Sequence, residues 1–308
     1  MNVGWEAWAA FCVFILAMLG IDLLLFNRKA HAVSIREAAV WSTVWIALGL
    51  AFAALILVWG GTKPAGEYLA GYIIEKSLSM DNVFMFALIF SYFAVPAEYQ
   101  HRALFLGIFG ALVMRAAFIA GGAALLHQFH FVEYLFGAFL VVTGVKLARQ
   151  RQEERNFDNN AALRLLRRTV PMTDGYRGPR VFLREGGRLL ATPMLAVLVV
   201  IEFTDLIFAL DSIPAIFGVT HNPFLAFTSN AFAILGLRAL YFLLAGMMER
   251  FAYLKAGLAA VLVFVGAKML AGRWYDVPVW ASLAAIALIL GVAAVASARK
   301  GSPVPRGG

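Results

Sequence analysis

An all-α polytopic membrane fold is what this sequence predicts, and three observations predict it. Hydrophobic residues fill 62% of the 308 positions, charged residues only 14%, and the mean hydropathy is +0.80. A water-soluble domain of this size carries roughly a quarter of its residues as Asp, Glu, Lys or Arg. Apolar runs of the roughly 20 residues needed to cross about 30 Å of hydrocarbon recur along the whole chain. They are continuous and rich in Leu, Ala, Phe and Val, without the alternation of a lipid-spanning strand.

Nine such runs are expected, at about 6–26, 40–60, 68–94, 103–126, 131–148, 191–217, 224–248, 253–271 and 278–297. The first follows Met-Asn-Val-Gly-Trp-Glu, with no basic region before it and no small-residue cleavage signal after it, and so reads as a spanning helix and not a leader. Five units follow from these runs. Residues 1–66 hold helices 1 and 2, 67–148 a first repeat unit, 149–190 a basic connector, 191–271 a second repeat unit, and 272–308 helix 9 with a cytoplasmic tail.

Orientation follows from the basic residues. With the N-terminus outside, 19 Lys and Arg fall on inner segments, against only Lys63 and Arg273 on outer ones. Positive charge is retained in the cytoplasm, so the topology is N-out and C-in. The net charge of +8 records these retained loops and not a nucleic-acid-binding face. Ten arginines lie in 149–190, which reads as a cytoplasmic linker touching anionic headgroups, with at most a short surface helix near 160–168. The single cysteine, Cys12, offers neither a disulfide framework nor a thiolate metal site.

The chain repeats itself across the connector. Glu75-Lys-Ser-Leu-Ser-Met-Asp81-Asn is followed one span later by Arg115 and two spans later by Gly144-Val-Lys146. Asp205-Leu-Ile-Phe-Ala-Leu-Asp211-Ser is followed in the same way by Arg238 and Gly266-Ala-Lys268. Each unit has three helices, an odd number, so the second enters the membrane from the opposite side. Inverted 3 + 3 repeats typify secondary transporters, with sites near the midplane and alternating access by rocking of one half against the other.

Intramembrane acids are the strongest functional signal, since a carboxylate at the bilayer centre costs at least about 2.5–3.5 kcal/mol on insertion scales. The candidate metal ligands are Glu75, Asp81, Asn82, Glu202, Asp205, Asp211 and Ser212, with the cation expected between Asp81/Asn82 and Asp211/Ser212 and the other three completing the coordination or carrying protons. At helical spacing Glu75 shares a face with Ser79 and Asn82, Glu202 with Asp205, and Asp205 with Ser212. Asp81 and Asp211 lie about 120° away from Glu75 and Asp205. Either the two acids of each unit face different environments or the helices unwind, and Pro214, which frees the carbonyl of Leu210 beside Asp211, argues for unwinding. Lys76, Arg115, Arg238, Lys146 and Lys268 are the charge partners and candidate gates. Arg115 and Arg238 are the interior ones, whereas Lys146 and Lys268 are placed to snorkel. An all-oxygen ligand set suits Mn²⁺, Mg²⁺ or Ca²⁺ and disfavours zinc and copper. His127, His130 and His221 fall on outer loops, and Asp22 near the inner end of the first span. No nucleophile–base pair stands in the core, so the chain does not read as an enzyme.

The motifs Glu75-Lys-Ser-Leu-Ser-Met-Asp-Asn-Val-Phe and Ile201-Glu-Phe-Thr-Asp-Leu-Ile-Phe-Ala-Leu-Asp-Ser-Ile-Pro-Ala215 resemble the TerC family of integral membrane proteins, of the TerC/Alx type. The likeness runs from about the first span to the ninth, with Glu75, Asp81, Asn82, Asp205 and Asp211 matching the signature acids and amide. The resemblance implies a lysine-exporter-like superfamily fold in the bacterial cytoplasmic membrane. It also implies manganese export, with Mn²⁺ as transported substrate and no resident cofactor. For some relatives it implies an association with secretion machinery. Protons as counter-ion and a homo-oligomer complete the expectation. Export of Ca²⁺ or a small cationic metabolite, and an accessory role in metal or tellurite resistance, are the alternatives. An acid-lined site would repel an oxyanion.

Overall fold

The computed structural model describes residues 3–26, 35–129, 131–149, 163, 166, 170–173, 175–178, 180–185, 188–244, 253–272, 274–275 and 277–299. The helices are α1 (Trp5–Phe26), α2 (Ile35–Gly60), α3 (Thr62–Tyr92), α4 (Ala97–Gln128), α5 (Phe131–Arg149), α6 (Pro193–Phe217), α7 (Pro223–Leu235), α8 (Leu237–Leu244), α9 (Leu254–Ala271) and α10 (Val279–Arg299). A two-stranded antiparallel hairpin, β1 (Phe182–Glu185) and β2 (Arg188–Ala191), precedes α6. Six helical stretches are long and apolar enough to cross a membrane, α7 and α8 counting together as one, and α1 and α9 carry shorter apolar stretches. The all-α polytopic membrane class that the composition predicts is the observed one.

Local chemistry sets the helix ends. Thr192 caps α6, its Oγ1 accepting from the Met194 amide at 3.2 Å, and Pro193 supplies the preset φ of a first helical residue. Asn222 and Pro223 repeat this at α7, with Oδ1 accepting from the Phe224 amide at 3.0 Å. Only Gly61 separates α2 from α3, at φ 86°, a conformation costly for any residue with a Cβ. α3 has 31 residues, enough to cross a bilayer, but carries Glu75, Lys76 and Asp81 along its length. Neighbouring helices cover its polar side chains Glu75, Ser79 and Asn82.

The centre of the molecule is α7, buried at every residue from Phe224 to Leu235. Trp8 and Phe11 of α1 and Phe52 of α2 pack on Phe224, Phe227 and Phe232 of α7, with ring centroids 5.0–6.5 Å apart. In lipid such contacts hold helices by dispersion and shape, because the surroundings are as apolar as the side chains. α1, α2 and α10 thus lie around a core made of α3–α5 and α6–α9.

Those two groups pack as related halves. α3 and α4 each contact α6 and α7, while α5 pairs with α9, a pattern that maps onto itself when the halves are exchanged. The α5–α9 crossing shows this at residue level. A Cβ on Gly144 would stand 2.8 Å from the Ala259 carbonyl and 2.7 Å from Val263, and one on Gly266 would stand 2.6 Å from the Gly137 carbonyl and 2.9 Å from Val141. Positions 137, 141 and 144 therefore correspond to 259, 263 and 266, and each half offers the other the same surface.

The two ends of the bundle also group the segments that alternating spans would place on the same side. Thr220 donates to Glu67 at 2.7 Å and His221 lies 3.7 Å from Glu133, joining three segments expected outside. At the other end, Tyr176 of the connector donates to the Phe93 carbonyl at 2.9 Å and Tyr241 contacts Gln100 at 3.0 Å, joining segments expected inside.

Three expectations need correction. The segment α6 runs as a continuous helix through Pro214 to Phe217. The seventh run is not one helix: it breaks at Gly236 into α7 and α8. The connector is also more than a linker. Leu163 and Leu166, the only described residues of the expected 160–168 helix, are helical, and Leu163 is buried in the same apolar cluster as Phe86 and Phe90. The β1–β2 hairpin had no sequence expectation, since four-residue strands beside Gly186-Gly187 give too short a pattern to read.

Candidate functional site

Arg115 of α4 is the hub. Its side chain is 1% exposed, and it crosses the interface between the halves to reach both repeat motifs. Nη2 and Nε donate to the two oxygens of Asp205 at 3.0 and 3.2 Å, a bidentate fork. Nη1 donates to Glu75 Oε1 and, at 3.1 Å, to Ser212 Oγ. Asn82 Nδ2 adds a longer contact to Asp205 Oδ1 at 3.4 Å. The structure thus brings together Glu75 and Asn82 of α3, Arg115 of α4, and Asp205 and Ser212 of α6. The shared faces read from helical spacing are the faces that meet.

Two carboxylates share one guanidinium here, so with both ionised one formal negative charge remains. Acceptors remain as well. Glu75 Oε2, Ser79 Oγ and Asn82 Oδ1 are buried with no hydrogen-bond partner among the described residues. They fall at i, i + 4 and i + 7, a line along one side of α3. Unfilled buried acceptors are unusual and call for a specific reason.

Asp81 and Asp211 lie elsewhere. Both are partly exposed, in contrast to the fully buried Glu75 and Asp205. Asp211 is hydrogen-bonded to Thr143 and lies near the exposed Lys146, both on α5. The acids of each unit therefore point into different environments without unwinding. Among the described residues, no three His, Cys, Asp or Glu side chains converge on one point as a ready metal cage.

Glu202 sits one turn before Asp205 but outside the fork. Its carboxylate occupies the space left by Gly110 of α4, where an added Cβ would collide with it, and its Oε2 is another buried atom without a partner among the described residues. Arg238 is buried on α8, and Lys268 is partly exposed on α9. Of the outer-loop histidines, His221 faces Glu133, and His130 lies outside the described residues. The side chain of Asp22 also lies outside them.

Lys76 turns away from the acids. Its Nζ donates to the Ala233 carbonyl at 3.2 Å, in the last turn of α7. That end carries the negative pole of the helix dipole and carbonyls without helical partners. Room for the ammonium exists because residue 236 is glycine: a Cβ there would be 2.7 Å from Lys76 Nζ and 3.0 Å from Trp45. Gly236→Ala is therefore expected to push Lys76 off α7 and cost about 0.5–1.5 kcal/mol, the worth of the hydrogen bond lost, read as a lowered unfolding midpoint of the purified protein in detergent. Little further loss is expected when it is combined with Lys76→Met.

Sequence reasoning missed Gly236, Thr143 and Asn230. Asn230 is fully buried on α7, and both its amide atoms lack a partner among the described residues. The run Thr228-Ser229-Asn230 inside an apolar span was the available signal.

Apolar helices in two related halves, joined through buried acids and a shared arginine, define a polytopic integral membrane protein of the repeat-built kind. The chain belongs to the TerC family: the model of the integral membrane protein TerC family matches residues 59–302. It is 51% identical to an uncharacterized membrane protein, STKORF319, of Myxococcus xanthus over 97% of this chain and 93% of that one. It is 47% identical to a protein of Escherichia coli K12 that carries the provisional name membrane-bound redox modulator Alx, over 92% of this chain and 91% of that one. An uncharacterized membrane protein of Rickettsia felis is 36% identical over 90% of this chain and 92% of its own length. No solved structure matches the chain.

Proposed function

We propose that this protein exports a divalent cation, Mn²⁺, across the bacterial cytoplasmic membrane through the acids between its halves. The observation that carries the reading is the line of unfilled oxygens on α3 beside a cluster with one carboxylate more than its arginine can balance. Carboxylate, amide and hydroxyl oxygens are the ligands that hard divalent ions take. Arg115 holds Glu75 and Asp205 in the absence of competition. A cation entering between them substitutes for the guanidinium, and movement of Arg115 on α4 then couples binding to the relative position of the halves. Glu202, near Asp205 but outside the arginine fork, is the acid best placed to carry a counter-transported proton. Asp81 and Asp211 are staging positions on the route to the centre. A dithiol mechanism within one chain, which the redox name of the relatives would invite, has no second cysteine to use.

Cellular manganese, measured by mass spectrometry in an exporter-deficient host at matched membrane expression, tests the reading. Wild type is expected to lower manganese relative to vector, and Asp81→Asn/Asp211→Asn is expected to lose most of that effect. In vesicles, collapsing the pH gradient is expected to stop uphill flux. A fall in calcium or in a cationic amino acid with manganese unchanged would replace the substrate, and no change in any of them would favour an accessory role.

A further inference from the structure

The β1–β2 hairpin leads directly into a helix long and apolar enough to cross a membrane. β2 ends at Ala191, Thr192 caps α6, and Pro193 opens that spanning helix, so no loop separates strand from membrane helix. Phe182 pairs with Ala191 and Arg184 with Leu189. A strand rises about 3.3 Å per residue, so these two rows lie within about 13 Å of the start of α6. The polar layer on each side of the hydrocarbon is about 5–8 Å deep.

Opposed residues of an antiparallel pair share a face, as do alternate residues of one strand. Phe182, Arg184 and Leu189 therefore stand together. Phe182 is 48% exposed and Leu189 58% exposed, and Arg184 is exposed between them. The preceding segment is pinned to the helices, with Met172, Tyr176 and Val181 packed on the cluster that contains Phe90 and Val95. One side is thus anchored while an apolar and basic face is left outward. Arg177 and Arg180 are also exposed, and residues 149–190 hold ten arginines against five acids. Large apolar side chains with arginines beside the start of an apolar, membrane-length helix match a surface of phosphate groups over acyl chains.

We propose that the hairpin is an interfacial anchor: Phe182 and Leu189 enter the headgroup boundary of the protein's own membrane, and Arg177, Arg180 and Arg184 bind the phosphates of anionic phospholipids. This does not depend on what is transported. The full-length protein tests it, since Cys12→Ser leaves a cysteine-free background. A single cysteine placed by Leu189→Cys, or independently by Phe182→Cys, is labelled with a polarity-sensitive fluorophore and reconstituted in phosphatidylcholine vesicles with and without phosphatidylglycerol. With phosphatidylglycerol, the emission is expected to shift to the blue, shallow spin-labelled lipid to quench it, and quenching by aqueous iodide to fall several-fold. Arg177→Gln/Arg180→Gln/Arg184→Gln, or high salt, is expected to remove the response. A label equally open to iodide in both membranes would overturn the proposal and leave the face to a soluble protein. Equal lipid quenching in both would overturn the recognition of anionic lipid.

Discussion

Replacing Arg115 with Ala is expected to cost about 3–5 kcal/mol of stability, because it strands Glu75 and Asp205 as buried carboxylates without a counter-charge. Both are at most 4% exposed at the side chain, and Arg115 is the cation that pairs with both. Thermal unfolding of the purified protein in detergent checks it. Arg115→Lys is expected to recover only part of the loss. A lysine offers a point charge, and the fork to Asp205 together with the reach to Glu75 and Ser212 needs the planar guanidinium. The informative control removes all three charges. Arg115→Met/Glu75→Gln/Asp205→Asn is expected to regain most of the stability, since a buried ionic cluster is seldom more stable than a neutral replacement of similar volume. The same variant is expected to move no cation. If the neutral variant stays as unstable as Arg115→Ala, the cluster is a structural device. If it folds well but is inactive, the charges are retained for transport.

Most of the site's membership was legible in the sequence, and its contacts were not, for a physical reason. Period 3.6 places Glu75, Ser79 and Asn82 on one face and Asp205 with Ser212 on another, and those faces meet. Periodicity within one helix says nothing of what lies across from it. That Arg115 would grip both motifs, while Lys76 turned to the end of α7, depends on helix packing that no local pattern encodes. Asp81 and Asp211 carry the same charge as their neighbours, and only burial separates them. The fold class was legible because composition reports the solvent directly. The break in the seventh span was not, since Gly236 is one of several glycines in apolar helices and only its contact with Lys76 and Trp45 distinguishes it.

Gly144→Ala and Gly266→Ala are expected to destabilise the protein by similar amounts, about 1–3 kcal/mol each. The neighbours struck are backbone: the Ala259 carbonyl at 2.8 Å in one case and the Gly137 carbonyl at 2.6 Å in the other. A side chain could rotate away, but a carbonyl inside a helix cannot, so the strain is relieved only by moving α5 from α9. Gly121→Ala is the control, since nothing lies within 4 Å of that position. There the added methyl gains helix propensity and meets no obstacle. Unfolding midpoints of the three variants decide the matter. Equal losses at 144 and 266 follow only if the two halves present each other with the same surface, as the corresponding positions 137/259 and 141/263 indicate. A loss at one position alone would mean that the repeat seen in the acids does not extend to the packing, and rocking of matched halves would lose its structural basis.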